Sequence, residues 1–198
     1  MFKVKQEYND RIISHLRSLG LCTSDSRKHQ IHTLTHKQAF IALTMELGLN
    51  VTMTTLLHDT DKLVLYGRMY KQEASKLHRE FSTHHFHNCE TEDDLIQCVV
   101  DYECSRLTKK NKNISAYDYI ITRTEEYYRA LKPTLVNLGL DKGSNLDNKF
   151  EAWNHCNRKT LRHYIDINIK AITVLNEAID TLGEREAVRK FYAMELKI

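Results

Sequence analysis

Apolar residues recur at helical spacing along most of the chain. Val4, Tyr8, Ile12, Leu16 and Leu19 share one side of a helix over residues 4–19, the repeat of three and four that buries one stripe. Gly20 supplies its stop. The polar stretch "TSDSRKHQ" reads as a loop. Leu34, Ala39, Phe40, Leu43 and Leu47 then predict a helix from about Ile31 to Leu47, ended by Gly48. Asn50 is the expected cap of a short helix through Leu56, Leu57 and His58. "YGRMYKQEASKLHREFSTHHFHN" reads as one or two helices, with a loop at Gly67.

Thr91 with Asp94 has the form of a capping box, with Glu92 and Asp93 in the first turn. It predicts a helix through Leu95, Ile96, Val99, Val100 and Leu107. "TKKNKNISAY" is a basic, polar loop, and the next helix starts near Ala116 and bends or stops at Pro133. "LGLDKGSN" is a break. Phe150, Trp153, Leu161, Ile165, Ile172, Leu175 and Ile179 predict a long helix over 146–182. Gly183 separates it from a last helix over 184–196. One proline and six glycines are too few turn residues for a many-stranded sheet. The expected architecture is all-α, as a single domain over residues 1–198, a length that buries ~70% of the unfolded surface in one core.

Composition narrows the class without naming a chemistry. Apolar residues at 41% and charged residues at 28% suit a soluble globular protein. A net charge of +3 is too small to signal nucleic-acid binding, and it suits a basic pocket for an anionic substrate equally well. No apolar run approaches the ~18 residues of a membrane span, and the N-terminus has no apolar signal core. The five cysteines are odd in number and none has CxxC spacing. They read as reduced thiols, which makes a cytoplasmic location the expectation.

The candidate chemistry lies in "TTLLHDTDKLVLY". An apolar run ends in His58-Asp59, with Lys62 one turn on. Imidazole and carboxylate together suit borderline divalent metals such as Mn, Fe, Co, Ni or Zn. Further ligands must come from neighbouring helices. His36 lies on the preceding helical pattern, and Asp101 follows two valines in "IQCVVDYEC". A carboxylate beside an apolar stripe is costly to bury unless it is paired or metal-bound. Downstream, "STHHFHN" places His84, His85 and His87 together. On a helix His84 and His87 would share a face, with His85 turned away.

The order His…His-Asp…Asp on helices resembles the HD-domain superfamily of metal-dependent phosphohydrolases. The nearer resemblance is to a poorly characterised family of short HD-like proteins from bacteria and phages. It rests on "THKQAF", "HDTDK", "HHFHN" and "DYECSRLTKKNK", and it covers about residues 30–120. Asp61 stands where that family usually has serine, and Tyr102 where it usually has tryptophan.

The resemblance implies a helical bundle of the HD-domain type. His36, His58, Asp59 and Asp101 would bind a divalent metal ion (Mn, Co, Mg, Fe, Ni or Zn). Asp59, Lys62 and His84 would take part in catalysis, with Lys62 at the phosphate or as a cation beside Asp59. The resemblance centres the histidine cluster on His84 and His85, whereas helical geometry pairs His84 with His87, and both arrangements stay open. His85 and His87, with Arg106, Lys109 and Lys112 in the basic stretch, would contact an anionic substrate. The implied activity is hydrolysis of a phosphorylated small molecule, a nucleotide or related phosphate ester. A degenerate HD protein that binds a nucleotide or a partner, and a di-iron HD-type oxygenase, use the same residues. Residues 134–198 carry no motif, which leaves a lid or a homo-oligomer face open to them. His78, His155 and His163 have no spacing partner that makes a site.

Overall fold

The computed structural model describes residues 2–108, 114–143 and 150–198. The protein is all-α. Among the described residues no strand forms, and one isolated bridge pairs Asp141 with Gly143. These residues divide into two compact units, each woven from three stretches of chain. The first holds residues 2–3, Ala39–Val51 and Thr83–His155. The second holds Val4–Gln38, Thr52–Ser82 and Cys156–Ile198.

The second unit is built on α10 (Arg158–Leu182), which packs against α1 (Gln6–Ser18), α3 (Met53–Leu57), α4 (Thr60–Leu65) and α11 (Glu184–Tyr192). The apolar stripes foreseen on α1 and α10 are buried: Tyr8, Ile12 and Leu16 on one, Leu161, Ile165, Ile172, Leu175 and Ile179 on the other. α5 (Lys71–Phe81) packs on α4 and α11. Gly67 lies where a side chain has no room: an added Cβ would stand 2.7 Å from Leu21 Cα.

α2 runs from Ser24 to Glu46, so the stretch expected as a loop is its first two turns. Its start is a reciprocal cap: Thr23 N–H donates to Ser26 Oγ at 2.9 Å, and Ser26 N–H donates to Thr23 Oγ1 at 3.2 Å. This occupies orphan donors that a helix end must satisfy. α3 is likewise capped by Thr52 with Thr55, two residues beyond the expected Asn50.

The first unit packs α6 (Glu92–Thr108), α7 (Ala116–Ile121) and α8 (Glu125–Asn137) against one another. Cys98, Val99, Ala116, Ile120, Leu131, Leu135 and Leu140 form its core. The Thr91–Asp94 capping box forms as expected, with Asp94 N–H donating to Thr91 Oγ1 at 3.1 Å and Thr91 N–H to Asp94 Oδ2 at 2.9 Å. α8 passes through Pro133 instead of stopping there. The lost backbone donor is offset by burial of Leu131, Thr134 and Leu135 on either side of the proline. The long helix expected over 146–182 is divided. A short α9 (Glu151–Asn154) precedes α10, whose own start is capped by Asn157 accepting from Thr160 N–H at 2.9 Å.

None of the five cysteines is in a disulfide. Among the described residues no helix is long and apolar enough to cross a membrane.

Candidate metal centre

His58 and Asp59 do not sit on one helix. α3 ends at Leu57, His58 after it leaves the helical conformation (φ −46°, ψ 125°), and α4 begins at Thr60. Asp59 between them has φ 59° and ψ 13°, the left-handed region. Such a conformation is unusual for a residue with a Cβ, though Asp tolerates it better than most. Backbone strain of this kind persists where the surroundings over-determine it, and it clusters at functional sites. The break replaces the ~100° helical rotation expected between adjacent residues.

The break is held from beneath by Lys37, which is 1% exposed. Its Nζ donates to Leu56 O at 2.9 Å, to His58 O, and to Thr60 Oγ1 at 2.7 Å. Thr60 Oγ1 in turn donates to Asn168 Oδ1 on α10 at 3.1 Å. Burial pushes the Lys37 amine down to about 7, against the upward pull of Asp59 and Asp61. Its three acceptors nevertheless match the three N–H groups of an ammonium. A cation also suits the carbonyl end of α3.

The ligand candidates of the second unit converge at this break. His36, His58 and Asp59 are all buried. The rings of His36 and His58 lie 5.3 Å apart, each with a nitrogen within 4.8 Å of the other's. His58 Nε2 is 3.9 Å from Asp59 Oδ1. Two donors that share one ion at ~2.1 Å each can stand up to ~4.2 Å apart, so this separation is compatible with a common metal. Two imidazoles and a carboxylate form the mixed donor set of borderline divalent ions. His36 with His58, and His58 with Asp59, each fall within groups of side chains whose ligand atoms lie close enough together to hold a metal ion.

Two further groups reach the same Asp59 oxygen. Lys62 Nζ donates to Oδ1 at 2.9 Å, forming a part-buried ion pair. Of the two expectations for Lys62, the geometry thus displays the cation beside Asp59. His78 Nε2 lies 3.3 Å from Oδ1. His78 is fully buried on the inner side of α5, four residues from buried Ala74. Its other nitrogen, Nδ1, is 2.9 Å from Oδ2 of Asp61, which is also fully buried. Tyr192 of α11 donates to Asp61 Oδ1 at 2.7 Å. Burial alone would raise the Asp61 carboxyl, yet the attraction and hydrogen bond of His78, with Lys62, hold it below its usual value. Burial of the Tyr192 hydroxyl beside Asp61 and Asp59 raises its pKa well above the ordinary phenol value.

Lys37, Asp61, His78 and Tyr192 carry no sequence expectation of a site role. The signal for His78 was present in its i, i+4 spacing from Ala74. No such signal exists for Lys37.

The remaining candidates belong to the first unit. Residues 83–85 are not helical and a 3₁₀ turn follows over Phe86–Asn88, so the helical pairing of His84 with His87 does not form. The rings of buried His84 and half-buried His85 lie 4.8 Å apart, and His87 is exposed. Asp101 is half-buried on α6. Arg106 pairs with buried Glu103 at 2.7 Å, and Glu103 also accepts from Ala116 N–H at 2.8 Å, tying α7 to α6. Lys109 and Lys112 lie outside the described residues. In comparisons with known proteins, the chain matches no family model, no curated protein and no solved structure.

Proposed function

We propose that the protein is a metal-dependent phosphohydrolase acting on a nucleotide or a related phosphate ester. The observation that carries this reading is the convergence of His36, His58 and Asp59 at the strained break between α3 and α4, with Lys62 paired to Asp59. A divalent ion bound there would polarise a phosphoryl oxygen and lower the pKa of a bound water. His36, His58 and Asp59 hold the ion, and Asp101 is the further ligand implied by the resemblance to HD-domain proteins. Lys62 pairs with the Asp59 carboxylate and orients it, and its ammonium is a second positive charge for an anionic substrate. His84 and His85 are assigned to catalysis and substrate contact on the same resemblance. A metal and a lysine together favour an anionic group, and the resemblance to HD-domain proteins makes that group a phosphate.

The test is phosphate release from a panel of nucleoside mono-, di- and triphosphates with Mn, Co or Mg supplied, comparing wild type with Asp59→Asn. Asparagine keeps the left-handed backbone accessible and removes only the charge. Metal-dependent release that the variant lacks supports the reading. A metal-loaded wild type that releases phosphate from none of them removes nucleotidase activity. Oxygen consumption with Fe supplied would then point to oxygenase chemistry.

A further inference from the structure

We propose that His78 is part of the metal-site machinery and that Asp61 and Tyr192 are its positioning residues, so that the C-terminal helix α11 sets the direction of an imidazole at Asp59. The inference rests on the proposed metal centre in that Asp59 is taken as a ligand there.

An ionised carboxylate only accepts hydrogen bonds. Asp61 offers both oxygens to His78 Nδ1, at 3.0 and 2.9 Å, so Nδ1 carries the hydrogen. Tyr192 donates to Asp61 Oδ1 at 2.7 Å, and its oxygen is 3.0 Å from the same Nδ1. The ring is thereby held from behind by a carboxylate that is itself held by a phenol. Its far nitrogen, Nε2, is turned to Asp59 Oδ1 at 3.3 Å, with Ser82 Oγ at 3.4 Å. A carboxylate behind an imidazole is the usual way in which a metal site fixes ring orientation and hydrogen position. A pair of His78 with Asp61 serving stability alone has no need of a second carboxylate at the far side of the ring. The contact also gives α11, which carries no sequence motif, a place in the site's chemistry.

The test uses the full chain with 15N-labelled histidine, first metal-free and then titrated with Co2+. The metal-free protein is expected to show a low-field Nδ1–H proton signal that disappears in His78→Gln. The signal should be lost in Asp61→Asn and moved in Tyr192→Phe, which removes one hydroxyl and threatens the fold least. On Co2+ loading, Asp61→Asn should bind about tenfold more weakly or worse. The Co2+ visible spectrum should change in both variants while far-UV circular dichroism stays as in wild type. Wild-type affinity and spectrum in both folded variants would overturn the proposal. If wild type binds no Co2+, the metal centre itself is overturned, and the proton signal alone decides the positioning. Its survival in Asp61→Asn overturns that role, and its loss there upholds it.

Discussion

Lys37 Nζ donates to the Thr60 hydroxyl across 2.7 Å, joining α2 to the first residue of α4 through the interior of the second unit. The same nitrogen serves the carbonyls of Leu56 and His58. Lys37→Met keeps the length of the side chain and removes every donor. Each buried acceptor left unsatisfied costs about 1–3 kcal/mol, so a loss of about 3 kcal/mol in urea unfolding is expected. A change within about 0.5 kcal/mol, the range of ordinary surface substitutions, would contradict this role.

Asp61 makes stability depend on pH in a defined direction. Its folded pKa lies below the usual carboxylate value, so the folded state favours the ionised form. The stabilisation is present above the unfolded value of about 4 and is lost as pH falls through the folded value. Wild type should exceed Asp61→Asn in urea midpoint at pH 7, and the gap should close in strong acid. A gap of the same size at pH 7 and pH 2 would show that the carboxylate charge is not what stabilises.

Gly67 is fixed by space, since an added Cβ meets the Leu21 backbone and not a movable side chain. Overpacking of this kind costs about 1–3 kcal/mol. Gly67→Ala should lower the thermal midpoint clearly, with little change in secondary structure at room temperature. An alanine variant as stable as wild type would mean that the two backbones can separate freely.

The metal ligands proposed above, Asp101 among them on the resemblance alone, can be probed without a substrate. His36→Ala, His58→Ala and Asp101→Ala should each reduce the Mn2+ or Co2+ retained after dialysis, with affinity falling about tenfold or more. His163→Ala, exposed on α10, should leave it unchanged. Metal retention by His58→Ala equal to wild type would move the ion elsewhere.

The all-α class, α1, the box that starts α6, and α11 were legible because each rests on local spacing or a local cap. The interior position of His58 and Asp59 was legible from the apolar run that they end, whereas the burial of His36 was not. The left-handed turn at Asp59 was not, because periodicity presumes that a helix continues, whereas tertiary contacts from Lys37 and Asn168 decide that it breaks. The N-terminal turns of α2 were hidden because "TSDSRKHQ" is polar, although Thr23 and Ser26 have capping spacing. Lys37 was illegible in principle, since hydropathy assigns a lysine to solvent and only distant acceptors bring it inside. Asp61 and Tyr192 are 131 residues apart in sequence, and no local pattern links them.

The three-stretch weave of each unit governs how this chain can fold and how it can be cut. In the second unit Arg11 pairs with Asp166 across 155 positions, and Arg68 with Asp180 across 112. Contacts of such long sequence separation raise contact order and slow folding, because loop closure precedes any gain. A fragment trimmed to the motif-bearing residues 30–120 would lack α10 and α11, on which α3, α4 and α5 pack, and α1, which packs on α10. Removing only the last helix would take Tyr192 away from Asp61. Synthesis therefore has to pass Tyr192 before the His58-Asp59 turn gains its full support, and dissection by truncation will report unfolding where point substitution reports chemistry.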